Sequence, residues 1–518
     1  MQGKKKYKEK LFTSFQLSEY VPQDNFYRRL KDVLDLNFLY KKTESFYGES
    51  GQKSIDPVVF FKLNLVGYLE GICYDRQLIE HCRMRMDILY FLGYDIDEPL
   101  PWHSTLSRTR QLFPESLFEE VFNHILEMCI EKGMVSGKTQ AVDSALIKAN
   151  ASMDSLELKV PASSLQEYLE KVRVMSRRDR KAKKNKAPEE QRKVSASDRE
   201  LKEIESRQKK WDKDQDQRPG AGNKGSRYTS NKTHYSPTDP DARISVKPGK
   251  ARKLNYLSQL GVDTSNHVIT HISADYADKK DNQCLQSIID KLKWRLQIRG
   301  LHWESLLADA GYSSGENYAY LEQKGITSYM PPHGTYKGGP EGFEYHKEGD
   351  YWLCRNNKKV TFRKIRRETG RNNTLKRLYF TKRSDCKGCQ YKTACIGKSH
   401  ERRIDITVYK EEYDRAIAKL NSPKGRYMKK KRKSTVEPVL GSLMSFYGMH
   451  KINTIGISQA NKVMLMAGTA YNLKKLLKFT NRRTKMMAST ASSFLNSIIV
   501  QITRYLSPYQ VLQGSIAI

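Results

Sequence analysis

Two short apolar runs each carry one aspartate. In Glu304-Ser-Leu-Leu-Ala-Asp-Ala-Gly-Tyr312, Leu306, Leu307 and Ala308 read as a buried strand that stops at Asp309, with Gly311 making the turn behind it. In Thr139-Gln-Ala-Val-Asp-Ser-Ala-Leu-Ile147, Asp143 lies inside a similar run. A carboxylate at the end of a buried strand is held rigidly and still faces an opening. Magnesium and manganese take hard oxygen ligands, and two such ions about 3.5–4 Å apart can work on both oxygens of a phosphodiester displacement. Taken alone, either aspartate is better read as an ordinary strand-end or turn residue. The charge balance favours the chemical reading: 92 Lys and Arg against 58 Asp and Glu give +34 over 518 residues, which points to a polyanionic partner.

A third acid is best sought after the cysteine-containing region, in Thr435-Val-Glu-Pro-Val-Leu-Gly441. With Thr435 as N-cap, Pro438 falls in a first helical turn, where its missing N–H costs little. Glu437 is then exposed at a helix start, where a glutamate also simply complements the helix dipole. Glu411, Glu412 and Asp414 compete, on a helix that reads as solvated.

The elements that must position these acids follow in order. Residues 1–45 form a polar arm. A helical domain over 46–135 opens at Asp56-Pro57, an N-cap and first-position pair, with Val58, Phe61, Leu65 and Leu69 at helical spacing. Further helices start near Asp75, at Met86, at Trp102 with Ser104 as cap, and at Pro114. Arg108 and Arg110 share one of them and suit a helix-turn-helix reader of DNA; a plain helical bundle is the alternative. His103 reads as a cap or a DNA contact. Residues 136–334 and 401–478 give strand (Asp143), strand, strand, helix, strand (Asp309) and late helices, the order of a ribonuclease-H-like α/β core. The second and third strands, from Lys253 and His267, form a hairpin around Thr264-Ser-Asn. Two insertions interrupt the core. Residues 155–230 read as a basic helical arm, or equally as a disordered linker. Residues 335–400 are β-rich and carry cysteines. Residues 479–518 form a Ser- and Thr-rich tail. Asp239 and Asp241, in Thr238-Asp-Pro-Asp-Ala-Arg243, read first as a turn, with Arg243 in reach of a phosphate.

No apolar stretch follows the basic start, and none approaches the length of a membrane span. A cytoplasmic location with reduced cysteines is expected, and no membrane partner. Cys386-x-x-Cys389 with Cys395 and Cys354 could bind zinc as four thiolates; the alternative is thiols packing a small β insertion. Cys73, Cys82, Cys129 and Cys284 fall on apolar helix faces.

Tyr74-Asp-Arg-Gln-Leu, Trp102-His-Ser-Thr-Leu-Ser-Arg108, Ala141-Val-Asp-Ser144, Asp239-Pro-Asp-Ala-Arg243, Leu307-Ala-Asp-Ala-Gly-Tyr312, the cysteine cluster and Thr435-Val-Glu-Pro-Val-Leu-Gly441 stand in one order. As a set they resemble the DDE transposases of bacterial insertion sequences, in the eleven-eighty-two group with an InsH-type N-terminal domain. The resemblance runs from about residue 45 to 478. It implies Asp143, Asp309 and Glu437 as a triad for Mg²⁺ or Mn²⁺, with strand cleavage and transfer at terminal inverted repeats. It also implies double-stranded DNA as partner, a homodimer on that DNA and a nucleoid-associated bacterial location. One departure stands out. Related proteins flank the glutamate with a tyrosine, an arginine and a lysine, where this chain has Lys430, Lys433 and Met444. Lys433 can hold a phosphate; Arg432 is one place out of register. The rival functions are a nuclease of the same fold that does not join strands, and a DNA-binding protein without catalysis.

Overall fold

The computed structural model describes residues 14–48, 54–161, 195–196, 230–245, 251–334, 336, 338–368 and 374–480. The expected helical arm within 155–230 and the tail from 481 lie outside them. The chain divides into two compact units: 1–134 with 443–449 and 465–518, and 135–442 with 450–464. Residues 443–449 and 465–478 thus group with the helical N-terminal unit, whereas the sequence assigns them to the sheet domain.

The first unit is helical. α1 (Pro57–Glu70) starts as the sequence predicts: Asp56 accepts the Val58 and Val59 amides, and Pro57 occupies the first turn. It ends at Gly71, whose φ of 70° is the left-handed conformation that closes helices. α2 (Asp75–Arg83), α3 (Met86–Leu92), α4 (His103–Leu112) and α5 (Glu115–Glu131) follow. On α5, Leu117, Phe118, Val121, Phe122, Ile125 and Leu126 recur at the i, i+3/i+4 spacing of one face and are buried. Phe118 meets Phe60 and Phe61 edge-on, and Phe113 packs against the same pair. Two expectations fail locally. Trp102 precedes α4 as its cap residue, with no side-chain capping bond, so Ser104 lies inside the helix. Cys73 lies in the loop after α1, not on a helix face, and its Sγ contacts the Gly448 carbonyl at 3.3 Å.

The second unit is built on a six-stranded mixed sheet. β1 (Thr139–Lys148) pairs antiparallel with β3 (Lys253–Asp263), placing Asp143 opposite Leu260. The far side of β3 carries β2 (Arg243–Ser245) at its start and β4 (Ile269–Tyr276) along the rest, both antiparallel. On its other side β1 pairs parallel with β5 (Ser305–Leu307), which pairs parallel with β6 (Thr327–Tyr329). α6 (Asp281–Gln297) and α7 (Gly315–Gln323) cover one face, where Leu285, Ile288, Ile289, Leu292 and Leu321 bury against Val142, Leu257 and Leu306. Side chains of a strand alternate between faces. Val142, packed in that core, and Ser144 therefore share the α6 side, and Asp143 turns to the other.

Residues 343–407 form a separate five-stranded antiparallel sheet: β7 (Phe343–His346), β8 (Tyr351–Cys354), β9 (Lys359–Arg367), β10 (Leu375–Phe380) and β11 (Arg403–Thr407). Its core is small, with Trp352, Val360, Tyr379 and Ile404 buried together. α8 (Lys410–Asn421) and α9 (Pro423–Phe446) follow.

Candidate active site

α9 corrects the sequence reading. The helix does not begin at Thr435 but runs unbroken from Pro423 to Phe446, with Pro438 in its interior. The dense basic run 426–433, ahead of the expected helix start, is itself helical. Thr435 is buried and its hydroxyl bonds back to the Lys431 carbonyl at 2.8 Å, the intrahelical alternative to capping. Val436 and Val439 bury the inner face. That rotation places Arg432 and Glu437 beside β1.

Arg432 is the pivot. Its Nη1 donates to Asp143 Oδ2 at 2.8 Å and its Nη2 to Glu437 Oε1 at 3.4 Å. The guanidinium and the Asp143 carboxylate are largely enclosed, at 14% and 17% side-chain exposure, while Glu437 is 56% exposed. Burial pushes the Asp143 carboxyl above the ordinary carboxylate range; the Ser144 amide and the Arg432 charge oppose the rise, and the Asp309 charge adds to it. Asp309 therefore acts on Asp143 electrostatically. Asp309 lies two residues beyond the end of β5, and its Oδ1 accepts the Gly311 amide at 2.8 Å as cap of the short helix Ala310–Tyr312.

A fourth carboxylate belongs here and escapes the sequence. Asp281, at the first position of α6, accepts from Ser144 Oγ at 2.6 Å. A Cβ placed on Gly311 would sit 2.9 Å from Asp281 Oδ2 and 3.0 Å from Asp309 Oδ1, so the two carboxylates flank one glycine. In sequence Asp281 looks like a first-turn acid matching the helix dipole. The only signal was Ser144, next to Asp143 on the strand. Beneath them Tyr312 is fully buried and donates to Gln259 Oε1 at 2.7 Å. Burial, with the charges of Asp281, Asp143 and Asp309, keeps that phenol protonated.

The other expected residues separate clearly. Arg108 and Lys433 are exposed. Arg110 is turned inward, at 12% side-chain exposure, and bonds Asp75 at 2.7 and 3.0 Å and Asn64 at 3.1 Å. It holds α4 to α2 and does not fit a phosphate contact. The connection before α4 covers 93–102, longer than the short turn of a helix-turn-helix. Arg243 lies over the Tyr276 ring, 4.6 Å from its centre, and donates to the Pro240 carbonyl at 2.7 Å. Asp239 is buried and accepts from Tyr256 at 2.7 and 2.8 Å and from the Gly456 amide at 3.2 Å. Asp241 accepts the Ile457 amide at 3.0 Å, at the start of helix 457–480. The Asp-Pro-Asp turn is thus a structural clasp. On α8, Glu411, Glu412 and Asp414 are engaged by Arg415 and Lys410 of the same helix and by Lys347 after β7.

Among the described residues no three His, Cys, Asp or Glu side chains are already arranged as a metal site. At the acidic cluster the reason is visible: the Arg432 guanidinium lies between Asp143 and Glu437. The donor set, carboxylate oxygens alone, nonetheless suits a hard divalent cation.

Residues 15–112 match a family model described as Transposase domain (DUF772), and residues 353–477 match one described as Transposase DDE domain. Both are transposase domains, and together they support a DDE transposase of insertion-sequence type. The second match spans Glu437, Arg432 and the four clustered cysteines, while Asp143 and Asp309 fall outside both matched stretches. No curated protein and no solved structure matches the chain. Among the described residues no helix is long and apolar enough to cross a membrane.

Proposed function

We propose that the chain binds the terminal inverted repeats of its own mobile element, cleaves DNA strands there and joins the freed 3′ ends to target DNA. The observation that carries this reading is the bridge of Arg432 between Asp143 and Glu437, with Asp309 close enough to shift the Asp143 carboxyl. Acids from a central strand and a late helix share one cation, and a third, just past a strand end, raises the Asp143 carboxyl through its charge. The strand order supports a ribonuclease-H-like core: an antiparallel hairpin on one side of β1, two parallel strands on the other. Asp143, Asp309 and Glu437 would hold Mg²⁺ or Mn²⁺. Such ions activate a water or 3′-hydroxyl and stabilise the leaving oxygen.

This chain's own part is then positional. β1 and the Gly311 turn fix two of the acids. Arg432 is the cation paired with Asp143 and opposes the rise that burial imposes on its carboxyl, and exposed Lys433 and Arg108 are free to meet phosphates. The +34 charge supplies sequence-independent attraction for DNA. Transposition holds two ends together, so the working form is a homodimer on DNA.

The test is a pair of assays on DNA carrying the element's termini: cleavage of intact ends, and joining of pre-cleaved ends. Asp143→Asn, Asp309→Asn and Glu437→Gln should each abolish both. Cleavage without joining by the unaltered protein would favour the nuclease alternative. Full activity in all three variants would remove the triad.

A further inference from the structure

The sheet of residues 343–407 contains a segment that its own packing does not explain. From Lys382 to Arg402 the chain makes two single-turn helices, Arg383–Cys386 and Lys392–Cys395, yet not one side chain in that stretch is buried. Short helices have almost no stability alone. The sheet's own four-residue core lies elsewhere. Something other than apolar burial must hold this lobe.

What it shares with the sheet is sulfur. Cys354, Cys386, Cys389 and Cys395 all line one cavity of about 260 Å³, together with Thr381 and Arg402. Cys354 comes from the end of β8, and the other three come from the unburied lobe. The two turns that present them are alike. After Cys354 the chain bends through Asn357 at φ 51°, and after Cys386 through Gly388 at φ 76°. The first turn aims the Lys358 amide at Cys354 Sγ, 3.4 Å away. Thr381 Oγ1 lies 3.2 Å from Cys386 Sγ, and Asn356 Nδ2 donates to Cys389 Sγ at 3.8 Å. Donors aimed at sulfur stabilise thiolate. The wall carries Arg355, Lys358, Lys392 and Arg402 against Glu341 and Asp385, a net positive lining that favours a centre of net negative charge.

We infer that these four cysteines bind one structural zinc ion as tetrathiolate, fastening the 382–402 lobe to the β8–β9 turn. Four soft sulfur donors from two turns suit tetrahedral zinc. The sulfurs surround the cavity without being closed on a common point, so binding draws them together, and metal affinity becomes local folding energy. Zinc here would be structural and separate from the acidic cluster; the inference does not rest on the proposed reaction.

The experiment uses the full-length chain purified without chelator. Elemental analysis should give one zinc per chain, and removing it should raise the count of reactive thiols by four. Cobalt substitution should produce the visible bands of a tetrahedral tetrathiolate centre. Cys386→Ser with Cys389→Ser should lose the metal, and Cys73→Ser should keep it. Because the double variant can unfold the lobe, Cys395→His is the companion: it retains four ligands and should keep zinc with altered cobalt bands. Less than about a tenth of an ion per chain, with no cobalt spectrum, would overturn the inference. So would a coloured iron–sulfur centre, or a disulfide among these cysteines.

Discussion

Arg432 donates to Asp143 at 2.8 Å and to Glu437 at 3.4 Å, so one guanidinium joins a central strand to a helix more than 280 residues later in the chain. It stands where the proposed metal ions have to act.

If the guanidinium and the ions compete for the same carboxylates, Arg432→Gln has two opposite effects. Without metal, the variant leaves the buried Asp143 charge unpaired and should lose about 2 kcal/mol of stability, the usual value for a hydrogen bond between charged groups. With Mn²⁺ it should saturate at lower concentration than the parent protein. Thermal melts across a manganese titration give both numbers. A variant that needs more metal would show that Arg432 assists binding instead.

Asp281 acts through its neighbours: it holds Ser144, next to Asp143, and flanks Gly311 beside Asp309. Asp281→Asn should lower end cleavage about 10- to 100-fold, in the range for residues that orient metal ligands. It should also raise the manganese concentration for half-maximal rate. An unchanged metal dependence would make Asp281 only a structural partner of Ser144.

The Asp-Pro-Asp turn predicts the reverse pattern. Asp241→Ala removes the acceptor for the Ile457 amide and should cost about 0.5–2 kcal/mol, as loss of a helix cap does. Cleavage measured well below the melting temperature should be retained. Loss of cleavage without loss of stability would put the turn in the chemistry.

His271 is completely buried, with Arg295 Nη1 at 3.2 Å from its Nδ1 and Ser273 Oγ at 3.1 Å from its Nε2. Burial first, then the Arg295 and Lys291 charges, hold its pKa well below 6.5. The folded protein keeps this ring neutral while the unfolded chain protonates it. Stability from this group is therefore complete above about pH 6.5 and falls below it, by up to about 1.4 kcal/mol per pH unit. Denaturant melts between neutral and mildly acid pH should show this slope, and His271→Gln should flatten it.

How much of this was legible follows from how local each signal is. The apolar runs around Asp143 and Asp309, and the Asp56-Pro57 start, are local patterns, and strand, strand and helix lie there. The start of α9 was misplaced because Pro438 normally marks a first turn, and nothing in the neighbouring residues says that Val436 and Val439 are buried along a longer helix. Arg110 was misassigned because its partner Asp75 lies 35 residues away, and a buried arginine cannot be told from a solvated one without that partner. Asp281 was missed for the same reason: its importance lies in Ser144, 137 residues earlier.

The antiparallel pairing of β1 with β3 carries a consequence for error. Asp143 faces Leu260, within a ladder running from Gln140 to Lys148. Sliding β1 by one position would present Val142 or Ser144 to Arg432 and turn the carboxylate toward α6. The identity of the group that the proposed site presents is thus decided by nine backbone pairings along the strand. Substitutions that loosen those pairings far from the acids would silence the protein while leaving each acid in place in the sequence.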